Sequence, residues 1–172
     1  QAASHAEGLT RQLLTFSRKI ESNPVPLDLN TEIASTCRLL ERTLPKMIRI
    51  ETRLEDHLPI IKVDQVQLEQ VIMNLGINAG HAMPDGGRLT FATQSVVLSE
   101  TFCRNHFELE AGRHVQLTIT DTGVGMDETL RQHIFEPFFT TRETGSGTGL
   151  GLAMVYGIVT NHGGAITCES EV

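Results

Sequence analysis

The stretch GSGTGLGLAMVYGIVTNHGG, residues 145–164, sets four glycines at alternate positions directly before apolar residues that recur at helical spacing. Glycine costs a helix about 1 kcal/mol per residue relative to alanine, so glycines at a helix entrance call for a gain elsewhere. Backbone N–H groups at a helix start, backed by the positive end of the dipole, hold phosphate without side chains. Glycines let that backbone come close to a ligand and let the loop before it move. The pattern is no P-loop, because GxxxxGK[ST] is absent and no lysine follows Lys62. GxGxxG is absent too, which removes the dinucleotide fingerprint and the protein-kinase glycine loop.

Just upstream, FEPFFTTRETGSGTG (135–149) supplies Thr140, Thr141 and Arg142 as donors. Phe135, Phe138 and Phe139 read as an apolar hinge or as a core cluster under the loop. A glycine-ended loop from Glu136 to Thr148 has the composition of a functional lid. Before it, VQLTITDTGVGMD (115–127) alternates as a half-buried strand and ends on Asp121, followed by Thr-Gly-Val-Gly. A carboxylate at a strand end, beside glycines that admit a planar ligand, suits an exocyclic amine such as that of adenine; the alternative is a polar turn residue. Calcium is disfavoured, since Gly123 and Gly125 stand where an EF-hand loop needs oxygen donors.

A helix is expected from about 64 to 82. Leu68, Val71, Leu75, Ala79 and Ala82 form its core-facing stripe, and Gln67, Gln70, Asn74, Asn78 and His81 form a polar stripe beside it. Asparagine disfavours helix. An amide oxygen can ligate magnesium, which takes one or two protein oxygens and leaves the rest to water and phosphate. Amides bonding one another or neighbouring backbone explain the stripe equally well.

The other expected elements are a short extended piece at 27–29, a helix near 30–43 capped by Asn30 or Thr31, strands near 47–55, 60–63, 88–98 and 113–120, and a short helix near 127–134. The glycine-opened helix spans about 149–161 and a last strand 165–170. Together they suggest an α+β fold, a two-layer sandwich with helices on one sheet face.

Length and charge agree with one domain and an appendage: 172 residues, with 14 Lys plus Arg against 21 Asp plus Glu, a formal charge of −7. That balance argues against nucleic acid as a partner, so any bound anion is held locally. Cys37, Cys103 and Cys168 lack metal or disulfide spacing and read as reduced cytosolic thiols. No apolar run approaches the roughly 20 residues of a membrane span, and no signal peptide is visible.

At the N-terminus, Ala2, Ala6, Leu9, Leu13, Phe16 and Ile20 follow an a/d seam, and SNPVP at 22–26 breaks the chain after it. The seam packs either on the following domain or in a bundle with another helix. Its regularity and the abrupt break favour the bundle.

These residues match a family. QVIMNLGINAGHAM resembles the N box, DTGVGM the G1 box, FEPFFTT the F box and GSGTGLGL the G2 box of bacterial sensor histidine kinases. Their catalytic domain shares the Bergerat fold with DNA gyrase, mismatch-repair ATPases and heat-shock chaperones. LTRQLLTFSR followed by PLDLN is similar to the end of the second dimerisation helix and the entry to the catalytic domain. The resemblance implies a dimerisation-helix segment at 1–22, a linker at 23–26 and a cytoplasmic catalytic domain at 27–172.

It further implies Asn78 as magnesium ligand, Asp121 as adenine reader, and Gly123 and Gly125 shaping the base pocket. The same resemblance implies that Thr140, Thr141, Arg142, His81 and the segment carrying Gly145, Gly147, Thr148, Gly149 and Leu150 hold the triphosphate of ATP. Asn74 stands where the related ATPases have a glutamate as general base, and an amide cannot take a proton from water. The implied partners are the phosphoacceptor helices of a homodimeric kinase and a response-regulator receiver domain.

Three features depart from the family pattern. His81 replaces a charged residue, one further strand is expected beyond GGAITCESEV, and the phosphoacceptor histidine is missing. His5, in SHAE at 4–7, belongs to the helix resembling the second of the pair and reads as solvated. His57, His106, His114, His133 and His162 show no ligand spacing. A hydrolysing Bergerat ATPase and a nucleotide-sensing module without transfer are the rival readings.

Overall fold

In the computed structural model the described residues are 22–104, 109–142 and 147–172. All of the segment expected as a seam helix at 1–22 except Ser22, with His5 in it, lies outside them, as do His106 and Gly145.

Val25–Leu27 forms β1 and Ile61–Val63 forms β3, an antiparallel pair. Val25 and Pro26, expected in the linker, thus pair with Val63 and Lys62. Helix α1, Leu29–Thr43, starts one residue earlier than expected, because the Asp28 carboxylate accepts from the N–H groups of Asn30 (2.9 Å) and Thr31 (3.3 Å). Asp28 is therefore the cap, not Asn30 or Thr31. Strands β2 (Ile48–Leu54), β4 (Gly87–Leu98) and β5 (Gly112–Asp121) make a mixed sheet in the order β2-β4-β5, β2 parallel to β4 and β4 antiparallel to β5.

Helix α2, Gln65–Ala82, is capped by Asp64, whose Oδ1 accepts from the Gln67 N–H at 3.0 Å. A short α3, Glu100–Cys103, was not anticipated. It is followed after β5 by α4, Glu128–His133, and α5, Gly151–Asn161.

Helices α1 and α2 cover one face of the sheet. Ile33 and Leu40 of α1, Ile72 of α2, and Leu89 and Phe91 of β4 are all 0% exposed in one cluster. Burial of this kind is worth roughly 1.5–3 kcal/mol per large side chain. The buried positions of α2 are Gln67, Leu68, Val71, Ile72, Gly76, Ala79 and Gly80, so Leu75 and Ala82, expected in the core stripe, are only half-buried. The helix is covered on two sides, by α1 and by α5, and its buried arc is wider than one stripe. Gly76 makes the close approach possible: a Cβ there would lie 2.7 Å from both methyls of buried Leu40.

Residues 165–170 form no strand. Their polar atoms are engaged by the loop and helix beside them instead: the Met126 N–H donates to Ser170 Oγ at 2.9 Å and the Arg131 guanidinium to the Cys168 carbonyl at 3.0 Å. No helix among the described residues is long and apolar enough to cross a membrane.

Candidate nucleotide site

The polar stripe of α2 meets the start of α5. A Cβ on Gly151 would stand 3.8 Å from Asn78 Nδ2 and 4.0 Å from Asn74 Cγ. Helix α5 begins at Gly151, two residues later than expected, because Gly149 adopts φ +65° and Leu150 takes the cap position. That cap carries no side-chain hydrogen bond and the first turn holds no acidic residue, so the positive end of α5 faces the two asparagines without a competing carboxylate of its own.

The lid residues converge on the same place. Arg142 donates from Nη2 to Asn78 Oδ1 at 3.1 Å, and its backbone N–H donates to Thr140 Oγ1 at 3.2 Å. A Cβ on Gly147 would fall 3.0 Å from Thr140 Oγ1 and 3.1 Å from Arg142 Cδ. The Phe138 N–H donates to the Gly149 carbonyl at 2.9 Å, closing the base of the lid, and Leu150 is buried beneath it. Thr148 Oγ1 accepts from the Leu150 N–H at 3.4 Å, while Thr141 is exposed. The three phenylalanines do not share one core: Phe135 packs on Tyr156 of α5 with ring centroids 5.7 Å apart, Phe139 lies against His133, and Phe138 is 53% exposed. Residues joining two faces rather than filling a centre suit a hinge.

Asp121 ends β5 on the helix-side parity of Leu117 and Ile119. Its Oδ1 accepts from the Gly123 N–H at 2.8 Å, and Oδ2 has no hydrogen-bond partner among the described residues. The turn rests on the last turn of α2: the Val124 N–H donates to the Ala82 carbonyl at 3.0 Å, and a Cβ on Gly123 would fall 2.6 Å from that same oxygen. Gly125, at φ +70°, lies against the Glu171 carbonyl. Asn74, Asn78 and Ala82 are four residues apart on one helical face, roughly 6 Å per step along the axis. One stripe of α2 therefore runs from the open helix start at one end to the Asp121 turn at the other, a span suited to a nucleotide.

His81 sits one residue off that stripe and is exposed. Loss of solvent around the ring, and then the Arg142 charge, hold its pKa below the usual 6.5, against a bond to the Ile77 carbonyl that raises it. The imidazole is expected to be neutral at pH 7, and folding stability to fall as pH drops through 6.5, where the unfolded chain takes up the proton first. An NMR titration of its ring protons checks this. Arg142→Gln should move the midpoint part of the way back up, with the desolvation part remaining.

His162 does more than its lack of ligand spacing suggested. Its Nε2 accepts from the Asp64 N–H at 3.1 Å, and its Nδ1 donates to the Ile158 carbonyl at 2.8 Å, which ties the end of α5 to the start of α2. The Asp64 carboxylate is held below the usual range chiefly by the Asn23 N–H, 2.9 Å away, and by the Gln67 N–H. No sequence signal joined these residues, which are 98 positions apart. Thr122 was also passed over in DTG, and its bonds tie the Asp121 turn to β4.

No group of three or more His, Cys, Asp or Glu among the described residues could hold a metal ion.

An α/β sandwich whose helix start, amide stripe and glycine turn lie along one helix has the architecture of a nucleotide-binding ATPase domain. The chain belongs to the family of histidine kinase-, DNA gyrase B- and HSP90-like ATPases, which matches residues 63–172. It is 42% identical over 172 residues to the sensor kinase CckA of Brucella abortus, covering 100% of this chain and 18% of that protein. It thus spans under a fifth of that relative's length. Among solved structures, the mycobacterial sensor histidine kinase MprB shares 27% identity at a TM-score of 0.64, with 82% of this chain and 81% of that one covered. Full-length ShkA in complex with AMPPNP shares the fold at a TM-score of 0.68 and 23% identity, covering 92% of this chain and 31% of that one.

Proposed function

We propose that this chain binds ATP with magnesium along the α2 stripe and is the catalytic domain of a cytoplasmic sensor histidine kinase module. The observation that carries the reading is the meeting of the open α5 start with Asn74 and Asn78. Asp121 accepts from the exocyclic amine of adenine, with Gly123 and Gly125 shaping the turn beside the base. Arg142, Thr140, Thr141, His81 and the backbone from Gly145 through Leu150 hold the phosphates. Asn78 holds the magnesium ion, which when bound neutralises charge on the phosphate oxygens. The ATP analogue in the ShkA complex supports nucleotide binding by this fold.

Asn74 gives the site its chemical direction. As an amide it takes no proton from water, so the bound triphosphate waits for another nucleophile. That nucleophile is a histidine on a dimerisation helix of the same homodimeric kinase: a phosphorus–nitrogen bond forms at its imidazole, the β–γ phosphorus–oxygen bond breaks, and ADP leaves. Catalysis is positioning and charge stabilisation by Arg142 and the α5 start. The phosphoryl group then passes to an aspartate of a response-regulator receiver domain.

The test uses γ-labelled ATP. The chain alone is expected to label no residue and to release almost no free phosphate. Adding a separate dimerisation bundle with its acceptor histidine should place acid-labile phosphate on that histidine, weakly because covalent proximity is missing. Steady phosphate release without the bundle would establish hydrolysis instead, and label on His5 would place the acceptor on this chain. Asn74→Glu restores a base beside the phosphates and should raise hydrolysis while leaving affinity nearly unchanged.

A further inference from the structure

The ladder between β4 and β5 ends at the pair Leu89 and Asp121, yet the two strands stay joined for one residue more. The Thr122 N–H donates to the Arg88 carbonyl at 3.2 Å, and the Arg88 N–H donates to Thr122 Oγ1 at 3.0 Å. The hydroxyl stands where a backbone carbonyl would stand in a continuing ladder. That substitution frees the Thr122 carbonyl from pairing, so the main chain can turn at Gly123 while Arg88 keeps its acceptor. The hydroxyl hydrogen is directed at Met83 Sδ, 3.8 Å away.

The surroundings leave Thr122 little freedom. Gly87, at φ +156°, has no side chain to intrude: a Cβ there would stand 2.6 Å from Thr122 Oγ1 and 2.6 Å from Met83 Sδ. On the other side of the turn, the bond from the Gly123 N–H fixes Asp121 Oδ1 and the bond from Val124 to Ala82 fixes the exit. Asp121 therefore sits between two anchored points, and Thr122 is the anchor on the sheet side.

We propose that Thr122 is a positioning residue that sets the direction of the Asp121 carboxylate and so contributes to the choice of base. The inference rests on the reading of Asp121 as the adenine acceptor. Without the hydroxyl, the Arg88 N–H loses its partner, the turn pivots about Asp121, and a directional bond to the base weakens more than the contacts to phosphate. The loss then depends on which base is bound.

Competition binding of ATP and GTP against a fluorescent nucleotide, on the full chain, tests this with four variants: Thr122→Val, Thr122→Ala, Thr122→Ser and Asp121→Asn. Thr122→Val should lose about tenfold in ATP affinity, the scale of one hydrogen bond, and its ratio of ATP to GTP affinity should contract by a similar factor. Thr122→Ala should do the same without added bulk, which keeps the test open if the valine variant does not fold. Thr122→Ser, which keeps the hydroxyl, should restore both values. An unchanged ratio in folded Thr122→Val or Thr122→Ala would overturn the positioning role, as would equal losses for both nucleotides. An unchanged ratio in Asp121→Asn would overturn the adenine reading itself, an outcome distinct from failure at Thr122 alone.

Discussion

Gly149→Ala is expected to weaken nucleotide binding about 100-fold or more while the sheet and its helices stay folded. A Cβ at this position would stand 2.3 Å from the carbonyl carbon of Phe138, 2.6 Å from its oxygen and 2.7 Å from its Cα. All three are backbone atoms, which no rotamer change relieves. The φ of +65° adds a conformational cost of about 1–2 kcal/mol for an L-residue, and crowding at a packed contact adds about 1–3 kcal/mol. The chain can escape this only by breaking the bond from the Phe138 N–H to the Gly149 carbonyl, which releases the lid and displaces the first turn of α5. About 2.7 kcal/mol of that cost, expressed in binding, is the 100-fold loss. Calorimetric titration with ATP, paired with circular dichroism to confirm the fold, measures it. Affinity within threefold of the parent chain would show that the closure is dispensable.

Asp121→Asn is expected to cost about 100-fold in ATP affinity and to erase the preference for ATP over GTP. A hydrogen bond to a charged acceptor is worth about 1.5–3 kcal/mol. The amide also lets an NH₂ face the NH₂ of adenine, so repulsion replaces attraction. Asp121 Oδ1 already serves the Gly123 N–H, so the variant can keep the turn with its amide oxygen and sacrifice readout at the outer atom. Equal binding of ATP and GTP by the unaltered chain would contradict the role given to Asp121.

Much of the fold was legible because its signals are local. Alternation in VQLTIT sufficed for β5, and the amide stripe for the polar face of α2, since periodicity reports which side of an element is buried. Where two neighbours compete for one helix, periodicity fails. Leu75 and Ala82 fit the expected stripe, but α1 and α5 flank α2 and shift burial to Ile72, Gly76 and Gly80. The strand expected at 165–170 had β composition but is not paired, because strand formation depends on a neighbouring backbone, which local sequence does not report. The cap at Asp28 was missed by two residues because Asp, Asn and Thr are all competent caps and only the backbone angle at the junction chooses among them.

By itself the sequence determined the kinds of chemistry available: amides at 74 and 78, a carboxylate at 121, an arginine at 142, glycines at the entrance of a helix, and no lysine after Lys62. These follow from residue type and spacing, which survive without knowledge of the fold. Only the tertiary structure decided which of them meet. A Cβ on Gly151 would meet two asparagines of another helix at about 4 Å, Arg142 reaches Asn78 across 64 positions, and His162 closes the far end of α5 onto Asp64. The reason is physical: a directional contact a few ångströms long between distant parts of the chain is set by how helices and sheet pack, and packing is a property of the whole core that no single segment encodes.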